Sequence, residues 1–440
     1  MIKLRFKISC LLLILVQTAS FTQGPWEKIT VPTNQFLKSV CFVDSLYGWA
    51  AGDSGTIIHT ADGGDTWMVQ DSQTQDDIVN VFFLNRNLGW ASSFNYSTAP
   101  FGTVLLKTTN GGANWIKAPY PKENIFINCI LFLDSLNGWM GGNPHALVKT
   151  TNGGADWTEA ETDTTLFSFF PVLKIYFYNE QYGYACGGIF DIAGVIWRTS
   201  NGGDKWFTID PSDAPADEVR GMHMFDSLNV MGAGGDPDYG YGVGIIRTSD
   251  GGVNWDYEEL GIQGNAYDLD FRNHAEAWAP LGPKGKFIYS LDAGSTWTQI
   301  PTTDSTLIYD VTFPDSLHGF AVGTKGAFLR FNTIVIPSVE TKSPSLASEF
   351  ILYQNTPNPF DQNTRINFQL SAFSRVDLIV FDILGNEIVT LVNADMPSGS
   401  YEIPFEASGL PRGVYFYRFT ASLPGDRGTF SETRKMVLLK

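Results

Sequence analysis

Acidic side chains are the residues of this sequence whose type and placement could do chemistry. Six of them stand shortly before segments that are predicted to be innermost β-strands: Asp76, Asp77, Asp217, Glu218, Asp268 and Asp310. A pair of carboxylates at the right separation hydrolyses glycosidic bonds, one as the acid and the other as base or nucleophile. The sequence therefore keeps an extracellular glycoside hydrolase as an alternative function.

No other set of reactive residues has catalytic spacing. A sialidase needs clustered arginines that hold the substrate carboxylate, yet no pattern selects three from Arg86, Arg220, Arg272 and Arg330. The five histidines have neither zinc nor triad spacing, and the cysteines are widely separated. No catalytic residue, metal site or cofactor is predicted.

Aromatic residues in three glycine-rich insertions are the candidate binding residues. Variable aromatic loops on a rigid scaffold are where recognition usually resides. The predicted ligand-binding residues are Phe94, Tyr96, Phe101, Phe190, Tyr239 and Tyr241.

An internal repeat determines which elements carry these residues. A box of the form Thr/Ser-x-Asp/Asn-Gly/Ala-Gly-x-x-Trp occurs six times with tryptophans 42 to 49 residues apart. A second motif, an apolar strand followed by an acidic or Asn residue and then a Gly-aromatic pair, occurs seven times, with looser pairs at Val230-Met231 and Ala277-Trp278. This period suits a four-stranded propeller blade, whereas helical repeats would need 3.6-residue periodicity that the chain lacks.

The boxes are predicted to be structural turns between the third and fourth strands of each blade. Their aspartate or asparagine accepts backbone hydrogen bonds, and their glycines supply positive φ angles. Their tryptophans are predicted to pack in the core. The residues concerned are Asp62, Trp67, Asn110, Trp115, Asn152, Trp157, Asn201, Trp206, Asp250, Trp255, Asp292 and Trp297.

The seventh copy of the repeat lacks a box and a final strand. The segment starting at Trp26 looks like the strands that follow the boxes, so it is predicted to complete the last blade. Closing the ring in this way removes free sheet edges. The sequence predicts an all-β protein with a seven-bladed β-propeller over residues 24–336, closed by the N-terminal strand.

These motifs resemble the Asp-box, or bacterial neuraminidase repeat, superfamily. Within it, the Gly-Trp-x-x-Gly and Thr-x-Asp-Gly-Gly-x-x-Trp pattern is most similar to propellers of the photosystem II assembly factor-like type. Members include sialidases, xyloglucanases and assembly factors, so the resemblance implies a fold and leaves the activity open.

Residues 337–349 form a Pro/Ser-rich linker, and residues 350–440 alternate polar and apolar positions as in a small antiparallel β-sandwich of Ig-like type. Four elements of this segment resemble the type A C-terminal sorting domain of the type IX secretion system: residues 354–360, 381–385, 413–418 and 433–440. The motif residues are Asn355, Pro357, Asn358, Pro359, Phe360, Lys435 and Lys440. The resemblance implies recognition by the outer-membrane translocon and a source in the Bacteroidetes and Chlorobi group.

Residues 1–23 are typical of a signal peptide, with a basic start and the apolar run Leu11 to Val16. No later stretch is long and apolar enough for a transmembrane helix. The net charge of −17 disfavours nucleic acid and anionic membranes as partners. We therefore expect a secreted or cell-surface propeller that crosses the periplasm and the outer membrane. It is expected to bind an extracellular protein or glycan at its top face, and to be a binding protein more than an enzyme. The alternative is a sialidase-like or xyloglucanase-like hydrolase.

Overall fold

The computed structural model describes residues 24–163, 165–190, 192–210, 212–215, 217–236, 242–332, 350–370, 374–382, 386–397, 399–422 and 429–439. The chain divides into two compact units, with the division after Pro337. The predicted signal peptide and linker lie outside the described residues. Each unit is described by itself.

The first unit consists of consecutive antiparallel sheets in which neighbours in the chain pair with each other. After the first strand, β1 (Trp26–Lys28), the first sheet contains β2 Leu37–Phe42, β3 Gly48–Gly52, β4 Ile57–Thr60 and β5 Met68–Gln70, and the second contains β6 Asp77–Phe83, β7 Gly89–Asn95, β8 Gly102–Thr108 and β9 Ile116–Pro119. The third contains β10 Phe126–Phe132, β11 Gly138–Asn143, β12 Ala146–Thr150 and β13 Thr158–Glu159, and the fourth contains β14 Glu161–Thr162, β15 Val172–Phe177, β16 Gly183–Ile189, β17 Ala193–Thr199 and β18 Lys205–Thr208. The next sheets contain β19 Val219–Met224, β20 Val230–Asp236, β21 Gly242–Thr248 and β22 Asp256–Glu259, then β23 Asp270–Phe271, β24 Ala277–Pro280, β25 Lys286–Ser290 and β26 Thr298–Pro301, and last β27 Ile308–Thr312, β28 Phe320–Gly323 and β29 Phe328–Phe331. Short 3₁₀ turns occur at Asp53–Gly55, Leu166–Phe169, Thr303–Ser305 and Thr324–Gly326.

Two sheets depart from the simple four-strand order. In the fourth, β14 pairs in parallel with the outer strand β18. In the last, β1 pairs antiparallel with β29, with Trp26 opposite Phe331. The first strand of the chain thus supplies the fourth strand of the sheet that contains β27, β28 and β29.

Aromatic rings pack between neighbouring sheets. The aromatic residue of a Gly-aromatic pair stacks on an aromatic residue of the next sheet, as in Trp49 on Phe83 at 3.5 Å and Trp90 on Phe132 at 3.6 Å. Trp139 likewise lies 4.0 Å from Phe177. These rings are large apolar groups that the alternating strand pattern directs into the space between the sheets, where their burial stabilises the fold.

The second unit contains two antiparallel sheets. One has the order β30-β31-β34 and the other β33-β32-β35-β36. The strands are β30 Phe350–Leu352, β31 Asn363–Leu370, β32 Ser374–Phe381, β33 Glu387–Met396, β34 Gly399–Glu406, β35 Gly413–Ser422 and β36 Thr429–Leu438. Apolar side chains from both sheets form one core that includes Phe368, Phe405, Tyr417 and Phe419. The all-β prediction is confirmed.

Candidate functional site

The boxes are hydrogen-bonded turns between the third and fourth strands. In the first box, Thr60 Oγ1 donates to Asp62 Oδ1 at 2.8 Å and accepts from the Gly64 N–H at 2.9 Å. Gly63 and Gly64 have φ angles of 71° and 90°, which L-residues rarely adopt. The Gly63 N–H also donates to the carbonyl of Leu46 in the turn between the first two strands. The box turns and the first-to-second strand turns therefore share one face of the sheets.

Three box tryptophans contact a ring of their own sheet, while Trp67 and Trp255 contact rings of neighbouring sheets, Phe328 at 4.5 Å and Tyr184 at 6.0 Å. Trp115 and Trp206 are fully buried, and each makes an edge contact of 5.8 Å, with Phe83 and Phe177 respectively. Trp157 contacts Phe132 in the same way at 5.9 Å. The hairpins between second and third strands lie at the other end of the strands, on the face opposite the boxes.

A cavity of about 520 Å³ is lined by residues of β2, β6, β10, β15, β19, β23 and β27. Six of these strands contain a β-bulge near their start. Polar side chains next to the bulges accept backbone N–H groups from the following sheet, as in Asn80 Oδ1 from Ile130 at 3.0 Å and Asp310 Oδ2 from Val40 at 2.8 Å. The bulges re-aim side chains into the cavity, and these side chains join adjacent sheets.

A buried charge cluster lies in this cavity. Lys174 Nζ forms an ion pair with Asp268 and a second one, at 3.1 Å, with Asp310. Burial lowers the pKa of Lys174, but the two carboxylates outweigh it and raise that pKa well above its ordinary value. Burial and the neighbouring Asp268 raise the pKa of Asp310. Burial also raises the pKa of the nearby Asp270 to about 7.

A second charge cluster lies where the first strands begin. Lys38 Nζ contacts Asp53 at 2.7 Å and Asp77 at 2.9 Å. Asp77 also accepts the Ser54 N–H at 3.0 Å. Burial lowers the pKa of Lys38, and the two aspartates more than offset this, so that the pKa is raised. Lys38 is therefore fixed as a cation at the end of the cavity where the strands start.

An aromatic row continues from Lys38 along this end of the cavity. The ring of Phe36 lies 4.9 Å from Tyr309, and Tyr309 lies 4.7 Å from Tyr267. Lys38 Nζ is 5.8 Å from the Phe36 ring, and the Arg220 guanidinium is 4.9 Å from the Tyr267 ring. We call the set Phe36, Lys38, Arg220, Tyr267 and Tyr309 the mouth belt. Three aromatic rings give the belt a stacking surface, and the cations at its two ends are paired with carboxylates, Lys38 with Asp53 and Asp77 and Arg220 with Glu218.

Two of the six predicted binding aromatics lie beside this belt. Tyr96 is 65% exposed and stacks on Phe126 at 4.7 Å, while Phe94 contacts Phe126 at 5.2 Å. The charges of Lys38 and Asp77 act on the Tyr96 hydroxyl, although burial is the main reason that its pKa is raised.

The other predicted aromatics are not brought together with them. Phe101 is exposed at the end of the same hairpin, and Phe190 is exposed on a hairpin of the fourth sheet. Within the described ranges, ring contacts join only Phe94 and Tyr96 of the predicted set. Tyr239 and Tyr241 lie outside the described residues. The insertions in the second and fourth sheets mostly lengthen strands, because β7, β8, β16 and β17 extend into them.

Sequence reasoning missed the mouth belt because its residues come from separate repeats. Phe36 and Tyr309 are far apart in the chain and meet only where the first and last sheets adjoin. One signal was available: the dipeptide Tyr-Asp occurs at Tyr267-Asp268, just before β23, and again 42 residues later at Tyr309-Asp310, inside β27.

The six carboxylates considered for hydrolysis all have partners. Asp268 and Asp310 pair with Lys174, Asp77 with Lys38, and Glu218 with Arg220 at 3.2 Å. Asp76 accepts from Thr74, and Asp217 accepts the Glu218 N–H. These bonds tie the carboxylates to the scaffold, although the buried Oε2 of Glu218 has no hydrogen-bond partner within the described residues. The arginines considered for a sialidase are dispersed: Arg86 pairs with Asp44, Arg272 with Glu276, and Arg330 with Glu27.

The sorting-motif residues lie at one edge of the second unit. Asn355 and Phe360 are buried, whereas Pro357, Asn358 and Pro359 are exposed. Lys435 is exposed on β36, and Lys440 lies outside the described residues.

The repeated sheets, their stacked aromatics and the separate two-sheet unit define the class: this is a β-propeller followed by a C-terminal β-sandwich. Residues 18–123 and 259–332 match the family model described as photosynthesis system II assembly factor YCF48. Residues 356–427 match the model described as secretion system C-terminal sorting domain. The propeller is thus of the YCF48-like type, and the C-terminal domain is a sorting domain, as both resemblances implied.

Known relatives agree with this assignment. The chain is 24% identical over 363 residues to the photosystem II assembly lipoprotein Ycf48 of Picosynechococcus sp., covering 72% of this chain and 91% of the relative. It is 24% identical to the chloroplastic photosystem II stability/assembly factor HCF136 of Arabidopsis thaliana, covering 70% and 79%. The solved structure of YCF48 bound to D1 peptide has a TM-score of 0.56 at 23% identity, covering 70% of this chain and 97% of that chain. That structural likeness shows the fold alone.

The sorting domain supports export through the type IX secretion system to the cell surface. Within the part of the chain that the structure describes, no helix has the length and apolar character needed to cross a membrane.

Proposed function

We propose that this protein is a secreted propeller that binds an extended polypeptide segment at the mouth belt. The observation that carries the proposal is the continuous row from Arg220 through the three aromatic rings to Lys38, beside a cavity of about 520 Å³. Tyr96 and Phe94 extend this row onto the hairpin of the second sheet. The belt residues are half-buried and Tyr96 is exposed, and tyrosine and arginine are among the side chains that contribute most to binding at protein interfaces.

Polypeptide is favoured over glycan as the ligand for two reasons. The belt places three adjacent rings between two cations that are already paired with carboxylates, which suits a segment whose apolar and aromatic side chains stack on the rings. In addition, a structurally similar propeller of the YCF48 family has been solved with a bound peptide. We transfer only the ligand class, a polypeptide, to this chain.

The propeller is proposed to have seven blades and a closed ring. Three contacts between the ends of the propeller segment support closure. β1 completes the last sheet, Phe42 stacks on Phe320 at 3.6 Å as Trp49 stacks on Phe83, and Asp310 accepts the Val40 N–H. A closed ring would hold the residues of the belt in fixed positions, which lowers the entropic cost of binding.

The domain limits and the route of the protein complete the proposal. Residues 1–23 would direct the chain to the periplasm, residues 24–336 would form the binding domain, residues 337–349 would link the two units, and residues 350–440 would direct passage across the outer membrane. The mature propeller would then meet its ligand at the cell surface.

The test uses the full chain after signal removal, immobilised and probed with a phage-displayed library of random peptides. A glycan array is probed in parallel. Selected peptides are then titrated against wild type and Tyr96→Ala/Tyr309→Ala. We expect the Kd to rise at least about tenfold in the double variant, because removing hot-spot aromatics costs roughly 2 kcal/mol or more.

Tyr182→Ala is the matched control, since Tyr182 is also an exposed tyrosine but lies in the turn between β15 and β16, away from the belt. Its Kd should equal that of wild type, and all variants should melt alike. If the double variant and wild type have the same Kd, the peptide does not bind at the belt. If no peptide is selected from the library and the glycan array shows binding, the ligand is a glycan and not a polypeptide. Hydrolysis of a glycan would favour the glycoside hydrolase alternative.

A further inference from the structure

Burial divides the sorting motif of residues 354–360 into two parts. Asn355 and Phe360 are only 1% and 2% exposed. The four residues between them, 356–359, are exposed. A partner protein therefore cannot touch the Asn355 or Phe360 side chain while this domain is folded.

The buried part of the motif anchors the exposed part. The Asn355 N–H donates to Tyr417 Oη at 2.8 Å, and Asn355 Nδ2 donates to Thr364 Oγ1 at 2.9 Å. Thr364 Oγ1 in turn donates to the Pro357 carbonyl at 2.8 Å. Phe360 fills the core at 6.1 Å from Phe405. These bonds fix the conformation of the turn at 356–359.

The motif also covers the free edge of the last strand. β36 is the outermost strand of its sheet. Asn358 Oδ1 accepts the Val437 N–H at 2.9 Å, the Phe360 N–H donates to the Val437 carbonyl at 2.9 Å, and the Leu439 N–H donates to the Phe360 carbonyl at 2.9 Å. Gln354 Nε2 donates to the Lys435 carbonyl at 2.8 Å. Since these backbone groups are occupied, a partner cannot add a strand at this stretch without displacing the motif.

We infer that the translocon reads a composite surface, formed by the turn at 356–359 together with Lys435 on β36 and Leu439 directly after it, and that Asn355 and Phe360 are positioning residues. Lys435 supplies an exposed cation, and Leu439 is 58% exposed. A complementary partner surface has carboxylates beside an apolar patch. This inference rests on the export role of the sorting domain and is independent of ligand binding at the mouth belt.

The experiment expresses the full chain in cells that carry a type IX secretion system and measures the fraction of protein outside the outer membrane. Lys435→Glu/Leu439→Ser should lower that fraction at least about tenfold, because charge reversal opposes an acidic partner surface. The melting curve should not change, since both side chains are exposed. Arg375→Glu is the matched control, because Arg375 is also exposed in this domain but lies near the start of β32, opposite Ser422 and at the other end of the sheet from Lys435.

Wild-type export of Lys435→Glu/Leu439→Ser overturns the inference. An equal loss with Arg375→Glu also overturns it, since export would then follow the charge of the domain and not this surface. If the double variant melts early, Lys435→Gln, which only removes the charge, must still lower export. Chains that lack residues 350–440 serve as the reference: their normal export would refute the sorting role itself, a result distinct from failure of the surface.

The positioning role has its own measurement. Phe360→Ala should speed hydrogen exchange at the Val437 and Leu439 amides and lower export, while amides in the centre of β35 stay protected. Phe360→Leu, which refills most of the space, should restore both. Normal export of Phe360→Ala despite fast exchange at those two amides would overturn the positioning role.

Discussion

Replacing Trp26 by alanine tests whether the N-terminal strand closes the propeller. The Trp26 side chain is 2% exposed and contacts the rings of Phe287 at 5.0 Å, Phe331 at 5.1 Å and Trp278 at 5.6 Å. Its strand also pairs with β29. Loss of a buried tryptophan typically costs about 3 to 5 kcal/mol, from lost apolar burial and the cavity that remains. We expect the free energy of unfolding of the propeller to fall by that amount.

The assay is urea unfolding of the full chain, followed by intrinsic fluorescence, with the transition of the propeller resolved from that of the C-terminal domain. Glu27→Ala is the control on the same strand, because its ion pair with Arg330 lies at the surface and such pairs contribute about 1 kcal/mol or less. Trp26→Phe should recover part of the loss. A Trp26→Ala variant within about 1 kcal/mol of wild type would refute the reasoning, since a strand whose anchor is dispensable does not close a ring.

Three further predictions concern pH, the boxes and the C-terminal domain. Burial raises the pKa of Asp270 to about 7, so the folded protein keeps a proton that the unfolded chain releases above about pH 4. The free energy of unfolding should therefore fall as pH rises from about 4 to 7. In urea titrations at several pH values, Asp270→Asn should remove the contribution of this proton to the pH dependence. Thr60→Ala should cost about 1 to 3 kcal/mol in the same assay, because the Gly64 N–H loses its acceptor, whereas Thr60→Ser should stay near wild type. Deleting residues 350–440 should leave the melting transition of the propeller in place and abolish surface delivery in cell fractionation, and a normal surface signal would contradict the sorting role.

Local sequence patterns determined the architecture of this protein. The side-chain hydrogen bonds of the box are local, since Thr60 and Asp62 bond to each other and to backbone groups of the same turn. Such local chemistry repeats wherever the residues repeat, so the strands and their order could be predicted from the spacing of boxes and Gly-aromatic pairs. The two domain types were readable for the same reason.

The candidate site could not be read in this way, because it depends on which repeats become neighbours. The Phe36 and Tyr309 rings, at opposite ends of the propeller segment, meet only through the contact between the first and last sheets. Lys174 neutralises Asp268 and Asp310 only because three sheets converge on one cavity. The sequence by itself determined the strands, the boxes and the sorting motif through local hydrogen bonds and alternation. Only the tertiary structure decided which charges are paired, which aromatics meet at the mouth and which motif residues are buried, because those properties arise from distances between segments that are remote in the chain.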